Sequence, residues 1–216
     1  MTIAPADVRP ALRGYIHLAA ALTSPFAVLY LMLVADSPAA YVGGAIFGAS
    51  MILLFSTSAS FHLIPWRASV YNVVKRVDHS AIFILIAGSY TPFCLQVLGW
   101  GWGIPVLSTV WGLAAIGIAL TIGWPHQPRW LGTAAYLAVG WTALAAIPPL
   151  FANLEPGPLA VLITSGVLFS AGGAAYAMRW PNPAPRVFAH HEVFHALMTA
   201  GCAGVYGVVA LSILPS

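Results

Sequence analysis

The sequence predicts an all-α integral membrane protein, a single domain folded as a bundle of seven transmembrane helices. Three observations carry that prediction. Only 6% of the 216 residues are charged and 60% are hydrophobic, whereas an average soluble domain carries roughly 25% charged residues. Apolar runs of about 20 residues recur along the chain, each long enough to cross a hydrocarbon core of ~30 Å. Once the spans are counted, all eight Lys and Arg residues fall on one side of the membrane.

The spans follow in order. The first, Tyr15–Ala35, stops at Asp36-Ser37-Pro38, and the second, Tyr41–Ile64, stops at Pro65. The third, Val77–Leu98, and the fourth, Trp102–Ile122, are separated by the turn-like Gly99-Trp100-Gly101-Trp102-Gly103. The fifth, Trp130–Phe151, follows Trp124-Pro125-His126-Gln127-Pro128, and Pro148-Pro149 is its weak point. Asn153-Leu154-Glu155-Pro156-Gly157 precedes the sixth, Pro158–Met178, and Trp180-Pro181-Asn182-Pro183 precedes the seventh, His190–Leu214. Tryptophans 66, 100, 102, 124, 130 and 180 mark these boundaries as an aromatic belt does. No internal repeat is evident.

Arg9 and Arg13 precede the first span; Arg67, Lys75 and Arg76 lie between the second and third. Arg129 lies between the fourth and fifth, and Arg179 and Arg186 between the sixth and seventh. The positive-inside rule makes that side the cytoplasm, so the N-terminus is predicted inside and the C-terminus outside, in a plasma (inner) membrane. Residues Met1 to Pro10 lack the pattern of a cleaved signal peptide, so the first span is expected to serve as its own targeting signal. Cations scattered singly between spans do not suggest nucleic acid as a partner; lipid is the expected surroundings and candidate substrate. Cys94 and Cys202 lie in apolar segments and read as buried thiols.

Imidazoles and carboxylates inside a span cost a few kcal/mol at mid-bilayer, which makes each one a functional candidate. His62 ends the second span, Asp78 opens the third, and His191 and His195 begin the seventh. The predicted topology places all four at one depth, near the cytoplasmic face. His191 and His195, four apart, share one helix face, the usual way for a helix to offer two imidazoles to one ion. Three neutral imidazoles plus a water make an open zinc site of catalytic type, whose bound water becomes a nucleophile near neutral pH. Asp78 is the candidate base, and Ser58, one turn before His62, could bond the same water or polarise a carbonyl. Blander readings apply to each residue alone: an interfacial His62, a helix cap at Asp78, a Ser58 bonded to its own backbone. His17, near the same end of the first span, reads as structural, and His79 and His190 point away from the site by about 100°. His191-Glu192-Val193-Phe194-His195 also matches H-E-x-x-H, in which Glu192 would be a metalloprotease base.

At these residues the chain resembles the hemolysin III family, relatives of the progestin and adipoQ receptors and, more distantly, of the alkaline ceramidases. Ser58-Ala59-Ser60-Phe61-His62 is similar to the family's second-helix motif. Arg76-Val77-Asp78-His79-Ser80-Ala81-Ile82-Phe83, running on through Ala87-Gly88-Ser89-Tyr90-Thr91-Pro92, is similar to its third-helix signature. His191 to His195 resembles its seventh-helix pair, and Arg13-Gly14-Tyr15-Ile16-His17 and Gly140-Trp141 also fit. The resemblance implies zinc on His62, His191 and His195, with Asp78 and Ser58 next to the metal or its water and no need for Glu192 as a base. It favours the compact bacterial members over the animal receptors. The function expected is a zinc-dependent hydrolase of a lipid-like amide or ester. The alternatives are a non-enzymatic sensor or cytolytic protein with structural zinc, and an intramembrane protease.

Overall fold

The computed structural model describes residues 10–124 and 126–215; Arg9, Pro125 and the rest of the N-terminal segment lie outside them. Within them the chain is helical: α1 Tyr15–Val34, α2 Pro38–Leu63, α3 Ala68–Gln96, α4 Gly99–Gly123, α5 Arg129–Asn153, α6 Pro156–Met178 and α7 His190–Ile213. Six of these are long and apolar enough to cross a membrane; α3, although 29 residues long, is not among the six. The chain is a multi-pass membrane protein.

Burial is inverted relative to a soluble bundle. Phe26, Leu33, Val167 and Leu211 stand outward with most of their surface open, as side chains facing acyl chains do, while the interior is packed by small residues that let helix backbones approach closely. At Gly43 an added Cβ would meet the Pro92 backbone at 2.8 Å, and at Gly88 the Ser50 hydroxyl at 2.5 Å, so α2 and α3 nearly touch. One core joins α1, α2, α3 and α7 around Leu31, Phe47, Leu54 and Ile213, and a second joins α3, α4 and α5 around Phe83, Val110 and Val139.

Several boundaries differ from the sequence reading. α3 begins at Ala68, not Val77, because Ser69, Tyr71, Asn72, Lys75 and Arg76 carry the helix on through a stretch too polar to register as a span. Asp78 therefore sits in the third helical turn, and the N-cap is Arg67. The Gly99–Gly103 segment is the first turn of α4 and not a connecting loop. α2 starts at Pro38, where the Ser37 hydroxyl accepts the Ala40 N–H at 3.1 Å and proline occupies the first turn. In α5 the irregularity lies ahead of Pro148-Pro149: residues Trp141–Ala146 form a 3₁₀ turn between α-helical halves, and Pro148 opens the second half. The Tyr90 hydroxyl bridges that break, donating to the Gly140 carbonyl and accepting the Ala143 N–H at 2.8 Å. α7 ends in a π turn, Val209–Ile213.

Candidate metal centre

The centre forms where α2 ends and α1 and α7 begin. Gly14, the N-cap of α1, has φ +86°, and a Cβ there would lie 2.8 Å from the His62 Cβ. Only glycine satisfies both the left-handed backbone and that contact. The residues before it bind the α6–α7 connection: Ala11 N–H donates to Arg186 O at 3.0 Å and Leu12 N–H to Val187 O at 3.1 Å. Those contacts bring Arg13 to α7, where its Nε donates to the Glu192 carboxylate. The other Glu192 oxygen accepts the Ala189 N–H at 2.9 Å, capping the helix. Glu192 has no exposed surface, and both its oxygens are committed to holding the start of α7.

With that start fixed, His191 and His195 face the last turn of α2. His191 Nε2 lies 3.2 Å from His62 Nε2. The ring centroids are 4.8 Å apart for His62–His191, 5.1 Å for His62–His195 and 4.6 Å for His191–His195. One ring nitrogen from each histidine falls within 4.8 Å of the other two. Around a tetrahedral zinc with Zn–N bonds of ~2.0–2.1 Å, ligand nitrogens stand about 3.4 Å apart. The closest pair is already near that separation, and the set needs about an ångström of side-chain adjustment to close on an ion. The donor set and its geometry fit zinc.

Asp78 is not in this converging set, although it is buried on α3. Its carboxylate lies beside Ser58, near enough for the serine hydroxyl to act on it, and its Oδ2 lies 3.5 Å from His79 Nδ1. Ser58 does not follow the usual habit of a serine in an apolar helix. Ser24, Ser165 and Ser170 each return their hydroxyl to the carbonyl four residues back, whereas the Ser58 hydroxyl is hydrogen-bonded to His17 Nδ1 at 2.7 Å. His79 and His190 turn aside as the helical spacing predicts: His79 Nδ1 donates to Lys75 O at 2.8 Å and His190 Nδ1 to Asn182 Oδ1 at 2.9 Å. His126 is exposed in its loop, and Cys94 and Cys202 are buried free thiols.

Helical spacing alone gives His17 no part in the centre, yet its ring lies parallel on His195 with centroids 3.8 Å apart and 9° between planes. Arg13, a topological charge by sequence, is likewise part of the surroundings. The available signal is the short spacing Arg13-Gly14-x-x-His17 at a helix start, which places a cation, a forced turn and an imidazole at one depth. Tyr176 of α6 closes another side, its ring 5.4 Å from His191 and carrying the Arg129 guanidinium 5.0 Å from its centre.

The profile of the family described as Haemolysin-III related matches residues 7–206. The Bacillus subtilis (strain 168) protein named Hemolysin-3 homolog is 33% identical over 187 residues, covering 86% of this chain and 84% of that one. The Bacillus cereus protein named Hemolysin-3 is 32% identical over 177 residues, covering 82% and 78%.

Proposed function

The chain belongs to the haemolysin-III related family, and we propose that it is a zinc-dependent membrane hydrolase acting on a lipid-like amide or ester. The observation that carries this reading is the convergence of His62, His191 and His195, three imidazoles with no further ligand in the set among the described residues. Such a set leaves a coordination position open, which distinguishes catalytic from structural sites. Counting α3 as a crossing gives seven spans in one domain, 1–216, with the N-terminus in the cytoplasm and the C-terminus outside. The histidines then lie near the cytoplasmic face of the plasma membrane.

His62, His191 and His195 hold the ion. When bound, zinc supplies a Lewis acid that polarises a carbonyl and makes water nucleophilic near neutral pH. Asp78 takes up the proton released from the attacking water and returns it to the leaving group. Ser58, held by His17, lies beside Asp78 and turns its single hydroxyl proton from the carboxylate to the substrate carbonyl. The acyl chain lies between helices, where the lipid-facing wall is already apolar. Glu192 plays a different part. Because it caps α7 and pairs with Arg13, it has no oxygen left to serve as the base that H-E-x-x-H chemistry requires.

Asp78→Ala and His191→Ala test the reading. In proteoliposomes carrying amide- and ester-linked lipids, the parent protein should release fatty acid, and both variants should insert normally and release none. Equal release from all three would end the catalytic assignment. The names of the two relatives favour a second reading, a cytolytic protein whose zinc clamps α2 to α7. Chelation separates them: lost turnover on a retained fold supports the hydrolase, while lost thermal stability with no turnover to lose supports the clamp.

A further inference from the structure

We infer that His17 is the positioning residue of this centre, one imidazole that sets the plane of His195 with its face and aims Ser58 with its edge. The inference rests on the proposed metal reading, because His195 and Ser58 are the groups it orients. Three features of His17 point the same way.

The first is the stack. In most metal sites a ligating histidine is held in orientation by a hydrogen bond on its other ring nitrogen. His195 Nδ1 has no such partner. What lies against the ring is His17, parallel and 3.8 Å away between centroids, while His62, His191 and Phe194 meet it at steep angles. A parallel face restricts rotation about the last side-chain torsion, which is otherwise soft for an imidazole. The stack therefore stands where a hydrogen bond is usually found.

The second is the edge. The 2.7 Å contact from His17 Nδ1 takes the Ser58 hydroxyl away from its own helix backbone, where Ser24, Ser165 and Ser170 keep theirs. The same hydroxyl lies beside the Asp78 carboxylate. His17 thus connects α1 to α2, and through Ser58 to α3, while its face connects α1 to α7.

The third is its own placement. His17 is 1% exposed, and its Nε2 is buried without a partner. A histidine kept only for packing gains nothing over an apolar ring there, since leaving a polar nitrogen unpaired in a core costs free energy. The Nδ1 bond and the stack are the contacts that require an imidazole. Gly14 and Arg13 hold α1 at the angle that delivers it.

The roles of face and edge separate by substitution. His17→Phe keeps a ring on His195 and loses the Ser58 bond; His17→Asn keeps a donor near Ser58 and loses the ring. In metal-free protein in nanodiscs, labelled with ¹⁵N-histidine, Ser58→Ala should move the His17 nitrogen resonances, and His17→Asn should shift the His195 ring protons as the stacked ring current disappears. Cobalt(II) alone is then titrated as a visible-spectrum probe. His17→Asn should weaken cobalt binding by about 10-fold or more, the usual effect of losing an orienting partner, and alter the ligand-field bands. His17→Phe should hold affinity within about threefold and lose fatty-acid release.

Two results overturn the inference: His17 resonances indifferent to Ser58→Ala, or His17→Asn with the parent's cobalt affinity and spectrum. If the parent takes up no cobalt, the metal reading fails separately, and the metal-free resonances still decide whether His17 holds His195 and Ser58.

Discussion

Replacing Arg13 by methionine removes the cation from the carboxylate that starts α7. Arg13 is 20% exposed at its side chain and Glu192 not at all, so the two partners differ in what they lose. Without Arg13, Glu192 keeps one hydrogen bond, from the Ala189 N–H at 2.9 Å, and remains a buried charge with no counter-ion. Breaking a buried pair in that way costs about 3–5 kcal/mol. Glu192→Gln is milder: the amide oxygen still accepts from Ala189, and Arg13 turns to water and headgroups, for a loss of about 1–3 kcal/mol. The double variant Arg13→Met, Glu192→Leu removes both charges and fills the space with apolar side chains, so it should lie closer to the parent than Arg13→Met does. Reversible unfolding in mixed micelles, followed by tryptophan fluorescence, measures the parent, Arg13→Met, Glu192→Leu and their combination. Additive single effects, with the double variant the least stable, would refute the claim that this ion pair fixes the start of α7. Loss of turnover in Glu192→Gln at full stability and metal content would return Glu192 to the role of base.

Three further outcomes follow from the packing. Gly43→Ala places a methyl 2.8 Å from the Pro92 backbone, which cannot give way as a side chain can, and should destabilise by about 1–3 kcal/mol in the same unfolding assay. Gly112→Ala meets nothing within 4 Å and should be neutral or stabilising by up to about 1 kcal/mol, from helix propensity. Tyr90→Phe removes both bonds across the break in α5, should cost about 1–3 kcal/mol, and should speed hydrogen exchange at the Ala143 amide.

Hydropathy makes the membrane class and most helix positions legible, because a span must be apolar over its whole length to avoid desolvating charge. It misses the start of α3, since Tyr71, Asn72, Lys75 and Arg76 extend the helix beyond the apolar stretch. Pro148-Pro149 marks the break in α5 but not its extent: the carbonyls four residues back, of Leu144 and Ala145, lie inside the 3₁₀ turn Trp141–Ala146. The start of that turn is held by Tyr90, which is far away in sequence. Depth alone brings His62, His191 and His195 level, and the structure puts them within reach of one another. Depth does not distinguish His17 from an interfacial histidine. Its role depends on which face of α1 meets α7, and the one hint of that face in so apolar a helix is the seven-residue spacing of His17 and Ser24, both buried. Ser58 has two readings by sequence, backbone-bonded or site-facing, and only the position of His17 chooses between them.

Metal analysis of the purified protein reads whether imidazoles of α2 and α7 hold a cation. The parent should carry about one zinc per chain after exhaustive washing, as an all-histidine set implies, and the His191→Ala, His195→Ala variant, equally folded, should carry none. Equal metal in both, or none in the parent even after zinc is supplied, would mean that these histidines hold no ion.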